Sequence, residues 1–198
     1  MKTIVGTYNS IQTAHDVAND LISAGYSRND ISIVANDANN EYATYVGDGK
    51  AGDDVAAGAG IGAAIGGLGG LLVGLGALTI PGVGPVIAAG PLLAALAGAG
   101  VGAVTGGVVG ALVDLGIPDE EAHIYAEGLR RGNVLVIAQV PDASATAVTR
   151  VMDRPGLIDI HREAETWRAS GWNRFDETDR TAVFGARRYS IARRMGDK

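Results

Sequence analysis

The chain of 198 residues has no cysteine. Disulfides and thiolate metal sites are therefore excluded, and a reducing compartment is compatible with the composition. Aromatic residues make up only 5% of the chain and fall mostly outside its most apolar region, so a core built there rests on small side chains close to the backbone. No long apolar leader precedes the strand-like opening Met1, Lys2, Thr3, Ile4, Val5, which argues against export by a cleaved signal. Charge of either sign is missing from residues 55–113, where Thr79 and Thr105 are the only hydroxyl-bearing residues. The rest is unevenly charged, with a net −6 overall: residues 1–54 carry three basic and eight acidic groups, residues 180–198 six basic and one acidic. An acidic whole with a basic end argues against nucleic-acid binding, although the end suits an anionic surface or the acidic first third of another copy.

Glycine fills the charge-free stretch. Of 30 glycines, 18 lie there, so the excess is local and belongs to one element. Gly58, Gly62, Gly66, Gly70 and Gly74 recur at every fourth position, as do Gly98, Gly102, Gly106 and Gly110. That spacing stacks glycines near one face of a helix and leaves a groove that a second helix can enter closely. Pro81, Gly82, Val83, Gly84 and Pro85 read as a turn dividing the stretch into helices over 55–80 and 86–113, roughly 39 and 42 Å long. A bilayer core is about 30 Å thick, so each is long enough to span it with tilt. Each interior glycine costs a helix roughly 1 kcal/mol against alanine, about 9 kcal/mol for the nine spaced glycines together. A lone hairpin in water does not survive that, which calls for packing partners and hence a homo-oligomer, with replacement of Gly66 or Gly102 by Leu expected to break it. Lipid and a tight protein bundle both supply an environment. The uncharged length favours lipid. The lack of flanking Trp, Tyr, Lys and Arg, and the acids Asp53, Asp54 and Asp114 at the ends, favour a soluble assembly such as a shell, tube or ring.

The flanks read as ordinary α/β structure. Residues 3–8 form a strand, Asn9 or Ser10 caps a helix to about Ala24 that Gly25 ends, and 31–35 form a second strand. Residues 38–54, rich in Asn, Asp and Gly, read as a polar loop. Pro118 and the acids Asp119, Glu120 and Glu121 open a helix with Ala122, Tyr125, Ala126 and Leu129 on its apolar face, stopped by Gly132. Residues 134–140, apolar on both faces, predict a central covered strand. Asp142 caps a further helix, and 157–162 alternate as a last strand. The order is β-α-β-β-α-β, that of a ferredoxin-like sandwich made from residues 1–37 and 117–164, with the apolar hairpin (55–116) inserted between its second and third strands and a tail over 165–198.

Certain segments are more specific than the glycine rows: the opening Val5, Gly6, Thr7, Tyr8 with its helix; Gly25 and Tyr26 before Asp30, Ile31, Ser32, Ile33, Val34; the turn at 80–85; Gly116, Ile117, Pro118 through Gly128; Gly132 to Val136; and Trp167 to Asp176. On these residues the chain resembles bacterial general-stress and low-temperature-induced proteins, in which a strand–helix–strand opening precedes a Gly/Ala-rich hydrophobic hairpin. The resemblance implies a stress-linked, membrane-associated bacterial protein of undefined activity, and supplies no catalytic residues. The expected location is the inner membrane facing the cytoplasm, or the cytoplasm for the soluble assembly.

Chemical motifs are weak. Gly58, Gly60 and Ala63 match G-x-G-x-x-A, but no strand stands just before them and no acid follows until Asp114, so dinucleotide binding is not expected. His15, His123 and His161 are scattered; the two on helices read as surface residues, and no metal or other cofactor is expected. Asp48, Asp53 and Asp54 lack calcium-loop register. No serine has a nucleophile-elbow context, so an enzyme is not expected and no small-molecule ligand is identified. Trp167, Trp172 and Phe175 stand out in a polar tail. They either cover the open face of the sheet or anchor a neighbouring subunit. Arg187, Arg188, Arg193 and Arg194 read as a solvated end or a contact with anionic lipid.

Overall fold

The computed structural model describes residues 1–38, 76–99 and 107–178, and side chains within 91–99 only as far as Leu96. Strand β1 (Lys2–Tyr8) leads to helix α1 (Ile11–Ser23), whose first turn is capped by Ser10, with its Oγ accepting from Thr13 N–H at 3.2 Å. Gly25 takes φ +94° just past its end, a conformation that glycine adopts without strain. Strand β2 (Ile31–Asn36) follows. After the segment outside the described residues come β3 (Gly76–Ile80), β4 (Gly84–Ala89), α2 (Pro91–Ala99) and α3 (Gly107–Asp114). Helix α4 (Asp119–Arg130), strand β5 (Val134–Val140), α5 (Ala145–Met152) and α6 (Ile160–Ala169) complete the order.

The protein is a mixed α+β structure with a five-stranded antiparallel sheet of order β1-β5-β2-β4-β3. Strand β5 is central to the first three strands: it runs antiparallel to β1 on one side and to β2 on the other, so β1 and β2 run the same way. Its expected burial on both faces is observed. Alternate side chains feed two cores. Val34, Val86, Ala88, Leu135 and Ile137 face α2, α3, α4 and α6. Tyr8, Ile31, Ile33, Ile87, Val134 and Val136 face α1 and α5. Both faces of the sheet are thus covered.

Two expectations are corrected. The apolar stretch is not a pair of long helices: residues 76–80 and 84–89 are strands paired with each other, and β4 also pairs with β2, joining the sheet. β-Branched Thr79, Ile80, Val83, Val86 and Ile87 cluster about the turn, and a short apolar run bounded by Pro and Gly suits a buried strand as well as a helix. Gly90, with φ +78°, ends β4, and Pro91 opens α2, where its missing N–H is harmless. No helix among the described residues is long and apolar enough to cross a membrane. Residues 55–75 of the expected first helix, with Gly58, Gly62, Gly66, Gly70 and Gly74, lie outside the described residues, as do Gly102 and Gly106. The second correction concerns residues 157–162. Leu157 makes one bridge to Tyr8, Ile158 N–H donates to Thr7 C=O at 2.7 Å, and α6 then begins, with Asp159 accepting from Arg162 N–H. The N-cap ends the strand after a single pairing.

Candidate functional site

Among the described residues, charged and aromatic side chains converge where residues 170–178 cross α4 and α6. Helix α4 fixes one wall. Its C-terminal half carries Glu127, fully buried, with Arg130 and Arg131 three and four positions on, which places all three on one helix face. Arg130 donates through Nη2 to Glu127 Oε2, and Arg131 through Nε to Oε1 at 2.5 Å. A buried carboxylate held by two guanidinium groups is satisfied, whereas Glu127 or Arg130 alone would be a desolvated charge; Arg131 keeps its access to solvent. Gly128 lets α6 approach: a Cβ there would lie 2.9 Å from Ile160 Cδ1 and 3.6 Å from Trp167 Cη2.

Each of three arginines lies over an aromatic ring. Arg130 is 5.2 Å from the Phe175 ring centre, Arg131 4.7 Å from Trp167 and Arg168 5.9 Å from Trp172. Trp167 and Trp172 meet edge to face at 5.8 Å. These are the only two tryptophans in the chain, so its indole fluorescence reports on this place alone. Trp167 and Phe175 are 5% and 4% exposed, so the side chains expected either to cover the sheet or to meet a neighbour are spent within their own chain, on the core that includes α4. Trp172 is half-buried against the same core.

The N-terminal end of α4 holds the crossing segment by charge. Arg174 pairs with Asp119 at 3.1 Å and Arg168 with Glu120 at 3.7 Å. His123 lies 3.8 Å from Asp119 with 12% of its side chain exposed, so it is half-buried rather than the surface residue expected. Burial, helped by the Arg174 charge, lowers its pKa below the usual imidazole value, while Asp119 and the Phe175 backbone pull the other way. His15 is buried, beside Asn19 on α1; His161 is exposed. Among the described residues no cluster of three or more His, Asp or Glu forms a metal site.

Beyond the rings the segment reaches the apolar half of the molecule. Glu177 passes so close to the β3–β4 turn that a Cβ on Gly82 would lie 2.6 Å from its Cα, and one on Gly107 would overlap its carboxylate. Gly82 and Gly107 also have φ of +75° and +32°. An open concavity of about 590 Å³ remains between Arg130 and residues 171–177. Its charged walls carry both signs, from Arg130 and Arg174 to Asp176 and Glu177, which gives no single ligand charge a preference. The arrangement fastens the segment across α4 and onto the turn.

Of the expected turn residues, Pro81 and Gly82 lie in a turn, which joins strands and not helices, whereas Gly84 and Pro85 already belong to β4, opposite Ile80 and Thr79. Gly98 lies in α2, and Gly110 in α3 has no described atom within 4 Å of where its Cβ would be. Asp48, Asp53, Asp54, Arg187, Arg188, Arg193 and Arg194 lie outside the described residues. The Glu127, Arg130, Arg131 group went unread in the sequence, although the i, i+3, i+4 spacing of opposite charges was its signal. Compared with protein-family models, with curated proteins and with solved structures, the chain matches none.

Proposed function

We propose that this is a non-enzymatic, self-associating protein, stress-related as its family resemblance implies, whose association element is carried on the charge-free stretch 55–113. We read the β1–α1–β2 and β5–α5 units as a ferredoxin-like sandwich whose fourth strand is cut to one bridge, with the β3–β4 hairpin and α2–α3 inserted between its second and third strands. The observation that carries self-association is Gly110. It stands inside a helix, where glycine costs roughly 1 kcal/mol against alanine, and no described contact in its own chain needs its small size. Val113, three positions on, is 39% exposed. A helix surface with no described neighbour at Gly110, next to an exposed valine, suits a closely approaching helix of another copy.

Val108, Ala111 and Leu112 of the same helix pack into the chain's own core, which supports a homo-oligomeric structural assembly as the leading form of the reading. Membrane attachment is the second form. It is favoured by residues 55–75, which carry no charge and as a helix would reach roughly 32 Å.

Light scattering of the purified chain with and without detergent, together with vesicle flotation, tests both. Assembly that persists without detergent, and is lost in Gly110→Leu, supports the structural form; flotation with lipid supports the attached form. A chain that stays monomeric at every concentration and does not float overturns the proposal.

A further inference from the structure

Of the two edges of the sheet, only one is defended among the described residues. Edge β1 begins with Lys2 and is met at its far end by Leu157 and Ile158, with Ile158 N–H on Thr7 C=O. Edge β3 reads Gly76, Ala77, Leu78, Thr79, Ile80: no charge, no proline, and no pairing on its outer side among the described residues. Such a strand is a template for another.

The register tells which backbone groups point outward. Thr79 stands opposite Pro85 in the β3–β4 ladder. Pro85 has no N–H, and its C=O accepts from Asp37 N–H at 2.8 Å on the β2 side, so it offers β3 nothing. In an antiparallel ladder the pairs alternate between bonded and non-bonded. Thr79 and Ala77 are therefore the non-bonded positions toward β4, and their N–H and C=O groups face the outer edge. Both residues are exposed.

We infer that β3 pairs antiparallel with β3 of a second copy about a twofold axis at Leu78, an inference that rests on the self-association proposed above and names its interface. Ala77 then exchanges both its backbone hydrogen bonds with Thr79 of the second copy, and Thr79 with Ala77. All four outward groups on each side are satisfied, and no other antiparallel register of the two strands does this: placing Ala77 or Thr79 opposite itself leaves the other unpaired. Leu78 faces Leu78 across the axis as a non-bonded pair, the arrangement in which side chains approach closest. Leu78 already packs against the core on the α2 side, so the contact continues that core from one copy into the next. No charge within 55–113 opposes the approach. The pairing is isologous and closes at two copies.

The absence of cysteine makes the test clean. In the full-length chain, Leu78→Cys brings two Cα atoms to about 4.5 Å across the axis, within disulfide reach. Most of that variant is expected to convert to a covalent dimer under mild oxidation. Ala77→Lys with Thr79→Lys sets lysine opposite lysine and is expected to remove this dimer contact. Ala77→Lys with Thr79→Glu sets opposite charges together and is expected to keep it. Both positions are exposed, so neither double variant disturbs the fold of the single chain, which circular dichroism checks. A chain that still assembles while Leu78→Cys stays uncrosslinked and the double lysine variant keeps its size overturns the edge interface and leaves self-association standing. A chain that is monomeric throughout, with slow amide exchange at Ala77 and Thr79, overturns both and assigns the edge to a segment of the chain itself.

Discussion

The two ends of the sheet are held by opposite means. At the β1–β5–β2 end, large side chains and specific hydrogen bonds fix the geometry: Tyr8 is fully buried and donates to Met152 C=O at 2.7 Å. Its ring fills the space above Gly6, where a Cβ would come within 2.7 Å of the hydroxyl. At the β4–β3 end, missing side chains do the positioning. A Cβ on Gly76 would lie 2.8 Å from Leu93, one on Gly82 would meet the Glu177 backbone, and one on Gly90 would lie 2.1 Å from Ile31 C=O. One end is locked by what its residues reach, the other by what its glycines leave out. Most of the described glycines of the charge-free stretch therefore serve close packing within the chain.

Breaking the glycine end has the largest expected effect. Gly90→Ala combines a positive φ with overlap on the backbone of β2, which cannot swing aside as a side chain would. The junction also carries Leu92 N–H on the buried Ser32 hydroxyl at 3.0 Å, which satisfies one of the unpaired donors of α2. A loss on the order of 4 kcal/mol is expected in urea unfolding, part from the left-handed backbone and part from the overlap. A loss under about 1 kcal/mol would show that the two strands can part at no great cost.

Breaking the side-chain end has a smaller effect. Tyr8→Phe keeps the ring over Gly6 and removes one hydroxyl, leaving Met152 C=O without that donor, for an expected loss of about 1–2 kcal/mol. It also changes the alkaline limb. Burial pushes the Tyr8 pKa up to about 12. Between pH 10 and 12 the unfolded chain loses a proton that the folded chain keeps, so stability present below pH 10 declines as pH rises through that window. Tyr125, pushed up to about 12 by burial, adds to the same decline. The Tyr8→Phe variant should show a shallower fall, measured as urea midpoint against pH; an unchanged slope would leave the decline to Tyr125.

The 170–178 segment ties the two ends together and softens in acid. The His123 pKa is lowered mainly by burial, so the unfolded chain takes up a proton at higher pH than the folded one. The stability it contributes is present above about pH 6.5 and declines as pH falls below that value. A charged imidazole would also face Arg174, the group that pins the segment to Asp119. The expected readout is a change in tryptophan emission below about pH 6.5, because both indoles lie at this crossing. In His123→Gln that change should shrink; if it persists in full, the carboxylates around the segment carry it.

What could be read in the sequence follows the same division. Caps, stops and alternation at the β1–β5–β2 end are local signals, and Ser10, Gly25, Gly132 and the doubly apolar run of β5 act as their chemistry suggests. In the charge-free stretch, apolar residues stand on every side, so periodicity cannot separate strand from helix. The spacing of four suggested helices over 55–80 and 86–113, yet Gly90, inside the second, sits at a strand end, and the turn that holds Gly82 joins two strands. Their roles depend on Ile31 and Glu177, both distant in sequence, which no local pattern reveals. The tail aromatics were legible as side chains in need of cover, from the sheet or from a neighbour. Their target was not, because the arginines that receive them lie on α4 and α6 and the stacking exists only once those helices cross.

The smallest expected effect separates a glycine kept for its own chain from one kept for another. Gly90 and Gly128 both have neighbours where a Cβ would stand, whereas Gly110 has none among the described residues. Gly110→Ala therefore removes backbone freedom from the unfolded chain and adds no described clash, so it should stabilise the dissociated chain by about 0.5–1 kcal/mol. Unfolding in urea at a concentration too low for assembly measures this. Gly128→Ala, in the middle of α4, should move the other way, because Ile160 Cδ1 lies 2.9 Å from the new methyl and must shift within a packed contact. If Gly110→Ala proves destabilising in the dissociated chain, that position is already occupied by the chain's own residues, and the glycine surface of α3 is not the one offered to a second copy.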